Sequence, residues 1–556
     1  MHKHLIPLCC VLSAIFVPPV EAAPSDAARQ QLDALITNVK GATMHRYDAH
    51  DSVGSGMDTL KIIADPSGGY LGVYHTYLNS RFVVSLATST DLMNWTFRCQ
   101  IAAYAADPDL YACANGGFVM AWEQTNSAGG KNHLHFAYYA NRGALLAGTA
   151  AQSFDAAMTL SKYAEGTPSI YAVTMTNGDI NTSTIDVGGH YNDNTLRLDR
   201  QQRGTLTNFN SWTTAVRRDY DNAILYYGAK GNIGDRDPLT YDGYQFNVME
   251  GQSTAKDFGS WKVYNYDFQT GNADQLSLTT DGGSTSFGNP TMTSLIGPDG
   301  NRCLVGTAFI FSQNSAPGEA GSLIYYTTLP AAPAISNGPP STTTPLGTAY
   351  SFAYKYTGFP APTFTVVSGA LPPGLTLSSA GLVSGNPSQA GIYRGTVQAS
   401  NGQGAAARQP FEIVVTQTYD QWASTYFPGA NPAVSAPDAV PQNDQTPNLL
   451  KYAVGIDPTL PLVGAARDAL PVAGLDGTTN PSIVYLTLTY RKSAAAFGIN
   501  TDVQVSSDLQ AWTTVDPSFV QTVRLDSATG DPVVRLEVDS QKAAREFIRL
   551  KVTLNQ

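Results

Sequence analysis

The sequence predicts an all-β chain: a five-bladed β-propeller, then an Ig-like β-sandwich, then a small C-terminal β-sandwich. Three observations predict it. A unit of short apolar strands and glycine turns recurs five times between residues 40 and 330. The stretch AAPAISNGPPSTTTPLG then changes the composition to that of a Pro/Ser/Thr linker. Beyond it, residues 345–416 alternate apolar and polar, with the frequent turn signals of a sandwich. A length of 556 residues accommodates three or four domains.

The start, MHKHLIPLCCVLSAIFVPPVEAAPSD, has a basic tip, an apolar run and small residues at Ala22 and Ala23. Residues 1–23 therefore read as a secretory signal peptide, which predicts a secreted or periplasmic protein. No stretch reaches the ~18 apolar residues of a membrane span. Past the signal only Cys99, Cys113 and Cys303 remain, too few for a disulfide scaffold. A Cys99–Cys113 bond and free thiols both stay open. CxxC and HExxH are absent, which argues against a transition-metal site. A net charge of −11 without a basic run disfavours nucleic acid and anionic membrane as partners.

The five units open with MDTLKI (57–62), DPDLYA (107–112), TPSIYA (167–172), DPLTYD (237–242) and NPTMTS (289–294). Each runs into a glycine turn, then a second strand and a third. A period of roughly 50–70 residues is that of one four-stranded blade, so residues 40–330 are expected to form five blades around an axis. TMHRYDAHD (43–51) is a candidate for the strand that closes the last blade, leaving no exposed edge there. Residues 331–344 are read as linker and 345–416 as the Ig-like sandwich. Residues 417–556 are read as a short helical segment followed by the C-terminal sandwich.

First strands line a propeller's axis, so their opening residues converge at one end. Aligned on the glycine turns, these are Asp58, Asp107, Thr167 (with Glu165 two residues earlier), Asp237 and Asn289. Carboxylates crowded in one cleft cannot all ionise normally, and at least one pKa must rise. One acid held protonated and one ionised is what glycosidic hydrolysis requires. Second strands return to the same end, where His75, Glu123, His190 and Glu250 are candidates to bind sugar hydroxyls. Tyr74, Trp122 and Tyr191 beside them are either stacking platforms or core. Arg200 and Arg203 either read an acidic sugar or pair with surface acids.

Asp, Asp and Glu on successive blades resemble glycoside hydrolase family 43 and its five-bladed relatives, families 32, 62, 68 and 117. The resemblance implies Asp58 in GMDTLKI as general base, Asp107 in ADPDLY as pKa modulator and Glu165 in EGTPSIY as general acid. SLATSTDLMNWTF (85–97) resembles the Ser-x-Asp-Leu-x-x-Trp that closes the first blade there, with Asp91 in a turn and Trp95 packed between blades. The chain departs from the pattern at several points. Thr59 follows Asp58 where proline is usual, and Asp51 is a rival base. Thr167 is inserted before Pro168, and Asp109 competes with Asp107. Arg236-Asp237-Pro238 resembles a motif of the fructan-cleaving relatives, but it follows Glu165 here. That order makes Arg236 and Asp237 substrate contacts, with Asn289, rather than catalytic groups.

LPPGLTLSSAGLVSGNPSQAGIYRGTVQASNGQG is similar to the family called Putative Ig domain. NDQTPNLLKYAVGIDP resembles a helical segment preceded, in its relatives, by an acidic calcium-type loop, of which only Asp444 survives. Together these readings predict a monomeric, secreted glycoside hydrolase acting on a polysaccharide or oligosaccharide by an inverting mechanism. No cofactor is expected. The resemblance allows a structural calcium near the axis, with His190 as a candidate neighbour, though no ligand spacing requires it. The alternatives are a propeller that binds glycans without cleaving them, and a polysaccharide lyase with a base such as His190.

Overall fold

The computed structural model describes residues 23–125, 130–429, 431–478, 483–540 and 545–555. The expected signal peptide, apart from Ala23, lies outside them. The chain divides into two compact units, one ending at Leu329 and the other starting at Pro330, and both are built chiefly of strands. The all-β expectation holds.

The first unit contains five four-stranded antiparallel sheets. Their innermost strands are Asp58–Ala64, Ala105–Ala112, Glu165–Met175, Ile233–Tyr241 and Phe287–Ile296. Each packs against the next, and the last packs against the first, so the cycle closes. The outer edge of the fifth sheet is Met44–Arg46, paired antiparallel with Gly321–Thr328. The cores between sheets are aliphatic and aromatic: one gathers Leu60, Tyr74, Trp95, Val305 and Ile324, another Val119, Phe136, Ile170, Val187 and Leu206.

A shared irregularity positions the site. Every innermost strand slips register near its start: between Asp58 and Lys61, Ala106 and Asp109, Gly166 and Ser169, Ile233 and Arg236, and Gly288 and Thr291. In four of them a non-glycine residue at the slip has positive φ: Thr59 (50°), Asp107 (49°), Thr167 (42°) and Asn289 (51°). A bulge inserts an unpaired residue and re-aims side chains. Here it frees the opening residues from strand alternation at one end of all five strands.

The helix Asp26–Thr37 was not expected. Its face of Ala28, Leu32 and Ile36 is buried with Phe246, Val263 and Leu323. Tyr325 Oη donates to the Ile36 carbonyl at 2.9 Å, and Asn265 Nδ2 donates to Asp33 at 2.7 Å.

In the second unit, Thr343–Pro345, Ala407–Thr416, Gly391–Ser400 and Thr363–Gly369 form one sheet, and Tyr350–Ala353, Leu382–Gly385 and Leu375–Leu377 form another. Phe364, Val383, Val397, Ile413 and Val415 fill the core. The stretch 331–344 is not a free linker. Ala331–Ile335 pairs with Tyr356–Phe359, and Thr343–Pro345 pairs in parallel with Val414–Thr416. Proline and small residues suit such extended edge strands as well as they suit linkers. Short helices follow, including Tyr419–Tyr426 and Asn448–Val454, then sheets of four and three strands. The buried Lys451 ammonium sits 2.6 Å from Asp444, where a calcium loop would need a metal.

Leu32 is fully buried, so Leu32→Ala should lower the stability of the first unit by about 2–5 kcal/mol. Denaturant unfolding checks this; a loss below about 0.5 kcal/mol would mean the helix is not part of that core.

Candidate active site

Two tiers of ionisable groups surround the axis at the bulged end. In the upper tier His75 lies between two carboxylates: Nε2 is 3.2 Å from Asp58 Oδ2, and Nδ1 is 3.2 Å from Asp107 Oδ1. Burial opposes charge on the imidazole, but the Asp58 and Asp107 carboxylates outweigh it and lift the His75 pKa to about 10. Asp58 Oδ1 also accepts from Asn289 Nδ2 (2.9 Å) and the Thr59 amide (2.8 Å). The Asn289 amide donates to Glu250 Oε2 (2.6 Å), and Glu250 Oε1 accepts from the Asp235 amide (3.1 Å). A hydrogen-bonded bridge thus runs from Asp58 through Asn289 and Glu250 to Asp235.

Protonation is split around this ring. Burial raises Glu250 to about 8 against the pull of the two amides. Burial, then Asp107 and Asp199, raises Glu123 well above the carboxylate range. Asp235 is raised well above it by burial, Asp107 and Glu250, with Arg236 and His75 opposing. Among the described residues the half-buried Asp235 carboxyl has no hydrogen-bond donor or ion-pair partner, whereas Asp58, Asp107, Glu123 and Glu250 each have at least one. It lines the small axial cavity with Asp107, Arg236 and Ser169, whose buried hydroxyl is unpartnered.

The lower tier is an ion pair. Lys61 Nζ lies 2.5 and 2.6 Å from the two Asp237 oxygens and 4.0 Å from Asp109. Asp237 Oδ2 also accepts from the Met292 amide (2.7 Å), and Asp109 Oδ2 from the Ile170 amide (2.5 Å). Burial and the Asp237 charge leave Asp109 raised to about 6 despite Lys61. The ammonium supplies the cation at this level of the axis, so Asp109 and Asp237 do not fit a calcium ion as well. Among the described residues no group of three or more His, Cys, Asp or Glu is arranged for a metal.

Several expected contacts are placed otherwise. Glu165 is buried, and its Oε1 accepts from the amides of Thr159 (2.7 Å), Leu160 (2.7 Å) and Ser161 (3.0 Å). That oxygen anchors the loop 159–161. Arg236 is spent on Thr167 and the Gly234 carbonyl, and Asp237 on Lys61, so neither is free to hold sugar. His190, made less basic by burial with Asp199 opposing, packs Nδ1 against Thr167 Oγ1 at 2.6 Å. Glu123 takes the Thr167 amide (3.2 Å) and the Asn132 side chain. Asp51, the rival base, accepts from the Val53 and Ser55 amides (2.9 Å each) and from Tyr74 Oη, and so shapes a turn. Tyr74, Trp122 and Tyr191 are core residues, not platforms. The aromatic rings beside His75 that do reach solvent are Tyr77 and Phe82, 62% and 44% exposed.

Arg200 is buried on the Asp199 and Gly231 carbonyls. Arg203 pairs with Asp186 at 2.5 and 2.8 Å and stacks over Tyr171 in a cavity of ≈430 Å³ at the other end of the inner strands. Asp91 caps its turn through the Met93 and Asn94 amides, and Trp95 is buried, as read from the sequence. Among the described residues the three cysteines are free.

Sequence reasoning missed Asp235 and Lys61. Counting back from the YDG turn selects Asp237, but the register slip between Ile233 and Arg236 brings Asp235 to Glu250. The DRDP string, with an acid on each side of the arginine, was the available signal.

Residues 332–416 match the family described as Putative Ig domain. No curated protein matches the chain. Among solved structures, a thermostable family-43 glycoside hydrolase is similar at 12% identity and a TM-score of 0.35, covering 50% of this chain and 92% of its own. An alpha-L-arabinofuranosidase from Lactobacillus brevis is similar at 10% identity and a TM-score of 0.34, covering 50% and 93%. An alpha-L-arabinanase from Cellvibrio cellulosa, complexed with arabinohexaose, is similar at 11% identity and a TM-score of 0.32, covering 49% and 91%. The chemistry of the site rests on its own residues.

The His75 pKa of about 10 lies above the ~6.5 of a free imidazole. Its stabilising contribution is complete below ~6.5 and disappears as pH rises through about 10. Thermal unfolding from pH 6 to 10 should show a falling midpoint, with a shallower fall in His75→Gln. Equal slopes in the two proteins would show that His75 is not charged between its acids.

Proposed function

We propose that the first unit is a five-bladed β-propeller glycoside hydrolase, exported from the cytoplasm, that cleaves a polysaccharide or oligosaccharide by single displacement. The observation that carries this reading is the contrast between two carboxyls of the ring, Asp58 and Asp235, whose residues are linked through Asn289, Glu250 and the Asp235 backbone amide. Asp58 accepts from Asn289 and Thr59 and lies against His75, the surroundings of a base. Asp235 has no donor, and burial beside other acids favours its protonated form, the surroundings of an acid.

In the proposed step the Asp235 O–H proton passes to the glycosidic oxygen as the bond to the anomeric carbon breaks. A water attacks that carbon from the opposite face and gives its proton to Asp58. Solvent exchange then restores both groups. Single displacement requires carboxyls ~6.5–9.5 Å apart, against the ~5–5.5 Å of retention. Asp107, with His75, sets the charge around Asp235. Glu165 keeps its structural role. Among the described residues no helix is long and apolar enough to cross a membrane.

The full chain should release new reducing ends, of inverted anomeric configuration by NMR, from at least one of arabinan, xylan, galactan, fructan and uronic-acid polymers. On that substrate Asp58→Asn and Asp235→Asn should each lose ~10²–10⁴-fold in kcat. Glu165→Gln should stay within about tenfold, since the glutamine oxygen can still accept the loop amides. An aryl glycoside with a good leaving group should restore Asp235→Asn but not Asp58→Asn. Saturable binding without cleavage would make the propeller a lectin, and unsaturated products would make it a lyase.

A further inference from the structure

Beside the acidic ring lies a second cavity, of ≈180 Å³, lined by Tyr77, Arg81, Phe82, Tyr104, Glu123 and Asn132 among others. It adjoins the reacting groups directly: the Phe82 ring packs edge-on against His75 at 4.9 Å, and Glu123 belongs to both sites. Among the described residues that line it, Arg81 is the one cation. The guanidinium carbon stands 5.4 Å from the centre of the Tyr104 ring. Among the described residues Arg81 has no carboxylate partner, and its buried Nε has no hydrogen-bond acceptor. Arg142, Arg203 and Arg217, by contrast, each hold an aspartate.

We propose that this cavity is a subsite for a uronic-acid residue of the glycan, with Arg81 binding the sugar carboxylate. This rests on the glycosidase reading for its place next to the scissile bond, but the recognition itself is independent of cleavage. A planar guanidinium pairs with a carboxylate through two parallel N–H···O bonds, and the Tyr104 ring lies within cation–π range of it. The exposed rings of Tyr77 and Phe82, set edge to face, offer apolar surface against which the C–H face of a pyranose can pack. Glu123, held neutral mainly by burial, adds no negative charge opposite the incoming anion. A neutral sugar could occupy the same rings but would leave the buried Arg81 Nε without an acceptor, and an unmet buried donor is costly.

Calorimetry on the full chain carrying Asp58→Asn, which keeps the glycan intact, tests the proposal with oligogalacturonate and oligogalactan of equal length. Oligogalacturonate should bind ~10-fold or more tightly than its neutral counterpart, with the preference shrinking as salt is raised. Adding Arg81→Gln should abolish the preference while changing galactan affinity by less than about twofold. Equal affinity for the two glycans, or an equal loss of both in Arg81→Gln, overturns the subsite. If the wild-type chain cleaves no polymer yet shows the Arg81-dependent preference, the glycosidase reading fails and the subsite stands.

Discussion

Like charge gathered around one buried axis is the constraint on which the first unit depends. Four of the five sheets send carboxyls there: Asp58, then Asp107, Asp109 and Glu123, then Glu165, then Asp235, Asp237 and Glu250. Two unit charges 4 Å apart repel by about 4 kcal/mol at an effective dielectric of 20, so full ionisation of such a ring is untenable. The chain relieves it in two ways. A cation is built in as Lys61 against Asp237, and the Asp58 and Asp107 carboxylates on either side of His75 favour its charged form. Elsewhere ionisation is withheld, as at Glu123, Asp235 and Glu250. The first remedy produces groups suited to accept protons and the second produces groups suited to give them. A stability problem and an acid–base division therefore have one solution.

The two tiers also separate tasks. Half-buried Lys61 and buried Asp237 satisfy each other, and Asp237 also takes a backbone amide, so the pair ties the first inner strand to the fourth across the axis. Removing either would strand the other's charge, a far larger penalty than the pair's net worth. With that level neutralised, the mouth above it keeps a half-buried, unpartnered Asp235 without the ring flying apart. Exposed Phe82 packs against His75 and Tyr77 packs against Phe82, so an aromatic pair lies beside the acids.

Much of this was legible in the sequence, and the failures share a cause. Strand openings, glycine turns and their spacing identified the inner strands, and Asp58, Asp107 and Asn289 do meet at one end. Hydrophobic pattern could have found the Asp26–Thr37 helix, because Ala28, Leu32 and Ile36 recur every four residues. What the pattern could not carry was the fate of each polar atom. Glu165 looks the same in a string whether it faces a substrate or three backbone amides of its own loop. Asp235 and Asp237 differ by two positions and sit in different tiers, because a register slip intervenes. Proline-rich 331–344 read as linker because composition does not distinguish a solvated strand edge from a tether.

The glycines at the inner-strand openings close the argument, since they record where the second-strand acids lie. A Cβ on Gly166 would come within 1.7 Å of Glu123 Oε2, and one on Gly234 within 2.2 Å of Glu250 Oε1. Neither glycine has the positive φ that would explain it by backbone freedom. Their absent side chains make room for a carboxyl from the neighbouring strand to reach the bulge amides of Thr167 and Asp235. Packed that tightly against backbone, Glu123 and Glu250 lose the water that would stabilise their charge, and their raised pKa values follow. Asp235, whose amide Glu250 accepts, is raised mainly by its own burial and by Asp107.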